Sequence, residues 1–163
     1  MSAVEHQTHW RELCRDPNLN DLPHKTETNY RGQLVLTPPS ISRSRRMKSV
    51  MDALDECALE GVSLPSLPVA TPEGVKVPDV AWASDERLEE MEEAGDPPKT
   101  ASEICVEVMS VFNDWGEMHA KRDLYREAGA EEVWIVTEEG EVHFFAEEKL
   151  RASGIAKEFP SEL

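Results

Sequence analysis

Two acids stand where apolar residues belong. In the segment EICVEVMS, residues 103–110, Ile104, Val106 and Val108 alternate strictly and form one apolar face of a buried strand. The opposite face then carries Cys105, Glu107 and Met109, a carboxylate between two apolar neighbours. Burying an unpaired carboxylate costs several kcal/mol, so Glu107 requires a partner. Asp79, in KVPDVAW, interrupts a second alternation between Val77 and Ala81. If the two strands pair, both carboxylates reach one face. Like charges there would push one acid towards its protonated form, whereas a divalent cation would neutralise both. Hard oxygen donors suit magnesium, with manganese as the other fit.

A lysine follows on the next element. The helix expected over WGEMHAKRDLYREAG sets Met118, Lys121, Tyr125 and Ala128 on one inward stripe, with Leu124 alongside. Lys121 could pair with Glu117 one turn earlier, or reach water along the helix edge. It could also serve the acids of the strand that precedes it, with Lys76 the next candidate because it lies near Asp79. Two acids and a lysine around one metal form a phosphodiester-cleaving set. The metal acidifies a bound water and holds a phosphate oxygen, and the lysine orients the nucleophile or offsets developing charge.

The elements that must position these groups can be read along the chain. SAVEHQTHWRELCRD reads as a short helix ended by DPNLND, and residues 1–25 form an N-terminal helix and lead-in. NYRGQLVLTPP is a turn into a strand. SISRSRRMKSVMDALDECALEG has Ile41, Met47, Val50, Met51, Leu54, Ala58 and Leu59 at helical spacing, with Gly61 as the stop. VSLPSLPVATPEG is a proline-broken edge strand or an irregular strand, and GVKVPDVAWAS a short strand holding Pro78 and Asp79. Residues 85–101 read as an acidic, mobile helix-plus-loop insertion, and EEVWIVTEEGEVHFF as a hairpin. Trp82 and Trp134 are expected in the core. The order predicts an α/β or α+β fold, a mixed central sheet flanked by helices, in one domain over residues 1–163.

Composition narrows the partners. Asp and Glu number 33 against 17 Lys and Arg, for a net charge of −16 that repels polyanions at long range. A local basic site is still allowed, because salt screens charges beyond roughly 8 Å. Arg43, Arg45, Arg46 and Lys48 open a helix, where positive charge opposes the dipole. They are expected at the surface, either contacting phosphate or pairing with the acidic excess. Cys14, Cys57 and Cys105 have no metal spacing, and the histidines are dispersed. With no apolar leader or membrane-length stretch, a cytoplasmic, reduced setting is expected.

Pro78-Asp79, followed by Glu107 in a core strand, resembles the PD-(D/E)XK nuclease superfamily. The usual lysine position, two residues after the acid, holds Met109, so the chain resembles the branch whose lysine has migrated to the next helix, where Lys121 stands. LPHKTETNYRGQLVLTPP, GVKVPDVAWAS, EICVEVMS and KRDLYREAGAEEVWIV, in that order, resemble the Uma-two family of restriction-endonuclease-like proteins. The resemblance implies a restriction-endonuclease-like core, a magnesium site and an acid from the N-terminal region, the position of Glu27. Without it, Glu27 would read as an exposed loop acid. The family commonly has Ser-Pro after the acid strand and an acid before the helix lysine; here Val111 follows Ser110, and Ala120 precedes Lys121.

The resulting expectation is a magnesium-dependent nuclease acting on DNA. Asp79, Glu107 and the Val108 carbonyl hold metal, Lys121 assists the attacking water, and Glu27 is an auxiliary acid. Cutting both strands of a duplex needs two sites, which allows a homodimer. The alternative is a non-catalytic module that keeps the scaffold for a binding or regulatory role.

Overall fold

Helix starts are marked by side-chain caps. In the computed structural model, which describes residues 1–19 and 21–163, Ser2 opens α1 (Ala3–Arg15) through a reciprocal capping box with Glu5. Strands β1 (Lys25–Thr28) and β2 (Leu34–Thr37) then pair antiparallel as a separate ribbon. Ser40 caps α2 (Ile41–Cys57), which leads to β3 (Gly61–Pro65) and the small hairpin β4 (Val69–Thr71) and β5 (Gly74–Lys76). β6 (Val80–Ser84), α3 (Asp85–Glu93), β7 (Ile104–Val108) and α4 (Trp115–Glu127) follow. The chain continues through β8 (Glu132–Val136), β9 (Val142–Phe145) and β10 (Lys149–Leu150).

Six strands form the main sheet, in the order β10-β9-β8-β7-β6-β3. β7 and β8 run parallel, so the chain between them must cross over a sheet face, and α4 is that crossover. The remaining neighbours are antiparallel. Val50 and Leu54 of α2 pack with Val80, Ile104, Val106, Val108 and Trp134 on one side of the sheet. On the other side, Tyr125 of α4 packs with Cys105 and Val133, and Met118 with Ile135. β7 is therefore covered on both faces, and all five of its residues are buried. This is the mixed α+β architecture expected from the element order.

Four local readings need correction. GVKVPDVAWAS is two strands, β5 and β6, separated by residues 77–79, because Pro78 has no N–H to continue a ladder. α2 ends at Cys57, with Ala58 as its C-cap, so Gly61 begins a strand and does not stop the helix. Leu59 and Ile41, read at the same helical spacing as Val50 and Leu54, are each 80% exposed, since both lie beyond the stretch of α2 that meets the sheet. The acidic segment over 85–101 is tied down: Met91 is buried, Arg87 donates to the Ala101 and Gly129 carbonyls, and Gln7 donates to the Ala94 and Pro97 carbonyls. Among the described residues no helix is long and apolar enough to cross a membrane.

Candidate active site

The acids meet at the break between β5 and β6. β6 pairs with β7 so that Val80 lies opposite Val106 and Ala81 opposite Cys105; one step further along this register, Asp79 faces Glu107. Having left the ladder, Asp79 uses Oδ2 to accept the Val108 N–H at 2.8 Å. β1 comes up beside this break because Gly74, at φ +107°, brings its backbone against the Thr28 carbonyl, where a Cβ would collide. The Val75 N–H donates to Thr28 Oγ1 and the Lys76 ammonium to the Thr28 carbonyl, fastening the hairpin to β1. Glu27 then accepts the Val77 N–H at 2.7 Å on Oε2. Glu27 is 4% exposed and lies in a strand, so it is not a loop acid.

Two ammonium groups knit the three acids together. Lys121 donates to Glu27 Oε1 at 2.7 Å and to Glu107 Oε1 at 3.4 Å. Lys25 donates to Asp79 Oδ1 at 3.1 Å and to Glu107 Oε2 at 2.9 Å. The Tyr125 hydroxyl donates to Glu107 Oε1 at 2.6 Å. Asp79 and Glu107 are each 2% exposed and Lys121 8%, which leaves little solvent to screen these charges.

The two facing acids differ electrostatically. Burial pushes the Asp79 carboxyl above its ordinary value, and the Glu107 charge adds to this; Lys25 and the Val108 amide only partly oppose it. Burial would raise Glu107 too, but Lys121, Lys25 and Tyr125 bring it down to about 2. The difference follows from the donors, since Glu107 collects both ammoniums and a phenol. Burial would lower the Lys25 pKa, yet Glu107, Asp79 and Glu27 hold it well above the ordinary lysine value. Carboxyls driven apart in this way are a common property of catalytic sites.

Asp79, Glu107, Lys121 and Glu27, singled out in the sequence, are thus brought into one cluster. Lys76 is not part of it, since its ammonium turns to Thr28, and burial lowers its pKa. Val108 contributes an amide donor to Asp79. The basic cluster does not form one surface patch. Arg43 is 8% exposed and its charge acts on Asp79, whereas Arg46 donates to the carbonyls of Leu163 and Glu138. Lys48 pairs with Asp52 at 2.6 Å, and Arg45 is exposed. Successive helical residues point about 100° apart, so neighbours in sequence spread around the helix.

Sequence reasoning missed Lys25 and the role of Tyr125. Both had a signal: Lys25 lies two residues before Glu27 and shares its strand face, and Tyr125 lies one turn after Lys121. The donor set has the chemistry for magnesium. Asp79 and Glu107 already converge on a single cationic centre, and magnesium is commonly held by one or two carboxylates, with water and phosphate oxygens completing its shell. The fit rests on two acids: among the described residues no group of three His, Cys, Asp or Glu side chains is arranged to hold a metal.

The mixed sheet between helices is a nuclease-like fold. The crystal structure of a putative nuclease belonging to DUF820 from Anabaena variabilis matches it with a TM-score of 0.68 at 13% identity, covering 85% of this chain and 86% of that one. The Uma2 family model, described as "Putative restriction endonuclease", matches residues 11–161, and the chain belongs to that family. No curated protein matches the sequence.

Proposed function

We propose that this protein is a metal-dependent nuclease that hydrolyses phosphodiester bonds in DNA. The observation that carries the proposal is the convergence of Asp79 Oδ1 and Glu107 Oε2 on one positive centre, with the Lys121 ammonium 3.4 Å from the other Glu107 oxygen. Asp79 and Glu107 would hold magnesium, or manganese in its place; the bound ion supplies an acidified water and neutralises charge on the scissile phosphate. Lys121 orients the attacking oxygen and offsets charge in the transition state. Glu27 positions Lys121 through the 2.7 Å contact, and Tyr125 fixes the Glu107 carboxylate. The family description supports DNA as substrate. With a net charge of −16, binding must rely on local cations such as Arg45.

A second reading, a non-catalytic module, is favoured by two observations: Lys25 lies between the acids, and the cluster is nearly closed to solvent. Cleavage assays separate the two. The protein is incubated with supercoiled, linear and single-stranded DNA in magnesium or manganese, beside Asp79→Ala. Metal-dependent cleavage that Asp79→Ala abolishes is the expected result. A wild-type protein that cuts none of these substrates with either metal would overturn the nuclease reading in favour of the module.

A further inference from the structure

The cation already seated between Asp79 and Glu107 has a consequence for metal binding. Lys25 Nζ stands 3.1 Å from Asp79 Oδ1 and 2.9 Å from Glu107 Oε2, so it occupies the point on which both carboxylates converge. A divalent ion held by the same two oxygens would lie against this ammonium, and the two positive centres would repel. Charge counting agrees. Three carboxylates and two ammoniums leave the contacting cluster with one negative charge; a divalent ion in place of Lys25 makes it neutral, and one added beside Lys25 makes it positive. A surplus positive charge in a buried site is strongly disfavoured.

Lys25 is also placed to leave. It is the first residue of β1, which pairs with β2 in a ribbon outside the six-stranded sheet. Its withdrawal breaks no ladder bond of β6 or β7, the strands that carry the acids. Lys121, in contrast, projects from α4, which packs on the sheet, and it also holds Glu27.

Resting on the metal-dependent reading above, we infer that Lys25 is a built-in competitor of the divalent ion: ammonium and metal exclude one another between Asp79 and Glu107. Lys25 offsets part of the acid pair's charge while the metal is absent, and metal entry requires its departure. It is a positioning residue that sets metal affinity, distinct from the lysine that faces the reaction.

The test is a manganese titration followed by the electron paramagnetic resonance of the free ion, on the wild-type protein, Lys25→Met and Lys25→Met with Asp79→Asn. Lys25→Met should bind manganese roughly tenfold or more tightly than wild type, because the wild-type site must first give up two charge-assisted hydrogen bonds. Adding Asp79→Asn should remove the gain. Equal affinities of wild type and Lys25→Met would overturn the competition while leaving the metal-dependent reading intact. Absence of binding in both would overturn the two together. A measurement on the wild type guards against misfolding of the variant. Lysines are acetylated with acetic anhydride and quantified by mass spectrometry, with exposed Lys157 as internal reference. Lys25 labelling should rise severalfold when saturating manganese is added; unchanged labelling refutes the displacement.

Discussion

Replacing Lys121 with methionine should destabilise the fold strongly, apart from any effect on catalysis. Methionine has nearly the length of lysine, so packing against α4 is kept while the ammonium is removed. That ammonium lies 2.7 Å from Glu27 and 3.4 Å from Glu107, and the side chains of all three are 10% exposed or less. Glu107 retains Lys25 and Tyr125, but Glu27 is left with a single amide, that of Val77. Removing one partner of a buried ion pair typically costs about 3–5 kcal/mol, because the other charge remains uncompensated. For a chain of this size, each kcal/mol lowers Tm by roughly 2–4 °C, so Lys121→Met should melt roughly 6–20 °C below wild type. Urea denaturation in the presence of a chelator measures the loss directly. Adding Glu27→Gln removes the stranded charge while keeping an acceptor for Val77, and should restore roughly 1–3 kcal/mol through the coupling of the two sites. A loss below about 1 kcal/mol, with no recovery in the double variant, would show that the ammonium reaches water and that the cluster is not electrostatically closed. Cleavage by Lys121→Met must accordingly be normalised to its folded fraction.

Two further outcomes follow from the same geometry. Tyr125→Phe deletes the 2.6 Å hydrogen bond to Glu107 and should cost about 1.5–3 kcal/mol in urea denaturation. Glu107 is depressed from an ordinary 4.5 to about 2, so its stabilisation is complete above the first value and is lost as pH falls through the second; the Tyr125→Phe deficit should shrink over that window, and a deficit independent of pH would assign it to packing. On duplex DNA, Arg45 and Lys48 are the exposed members of the basic cluster, so binding through it should give a slope of log K against log salt of roughly −2, which Arg45→Ala halves. A slope unaffected by Arg45→Ala would place the phosphate contacts elsewhere.

The parts of the site that sequence exposes are those written in local periodicity. Glu107 stands out because strict alternation surrounds it, and Lys121 because Met118 and Tyr125 share its stripe. Asp79 is legible because it interrupts the alternation of Val77 and Ala81, whereas the strand break at Pro78 that frees its carboxylate to accept the Val108 amide is seen only in the fold. Lys25 leaves a weaker trace, its i, i+2 relation to Glu27, since its partners Asp79 and Glu107 lie 54 and 82 residues away. A lysine opening a short strand has the local pattern of a surface residue, and only tertiary pairing makes it a buried cation. The arginine cluster fails in the opposite sense. Arg43, Arg45 and Arg46 are close in sequence, but the helix turns one towards the acids, one to solvent and one to the Leu163 carbonyl.

Stability alone gives a poor account of why the cluster exists. Replacing buried ion pairs by apolar side chains of similar volume is often neutral or stabilising, by about 1–4 kcal/mol. Here three acids and two lysines lie within a core whose neighbouring positions are Cys105, Val106 and Ile135. An apolar solution was therefore chemically close at hand. The chain instead holds the Glu107 pKa down at about 2 while burial raises that of Asp79, joins both acids through Lys25, and ties Glu107 to Lys121 on the facing helix. Such an arrangement is costly as packing and useful as chemistry, because it keeps a carboxylate pair oriented towards one cation before any ligand arrives. The same preorganisation explains the two lysines. Lys121 is clamped by Glu27 and cannot leave without stranding a charge, whereas Lys25 stands at the first position of β1, outside the six-stranded sheet. One lysine is built to stay at the acids and the other to yield its place to the ion.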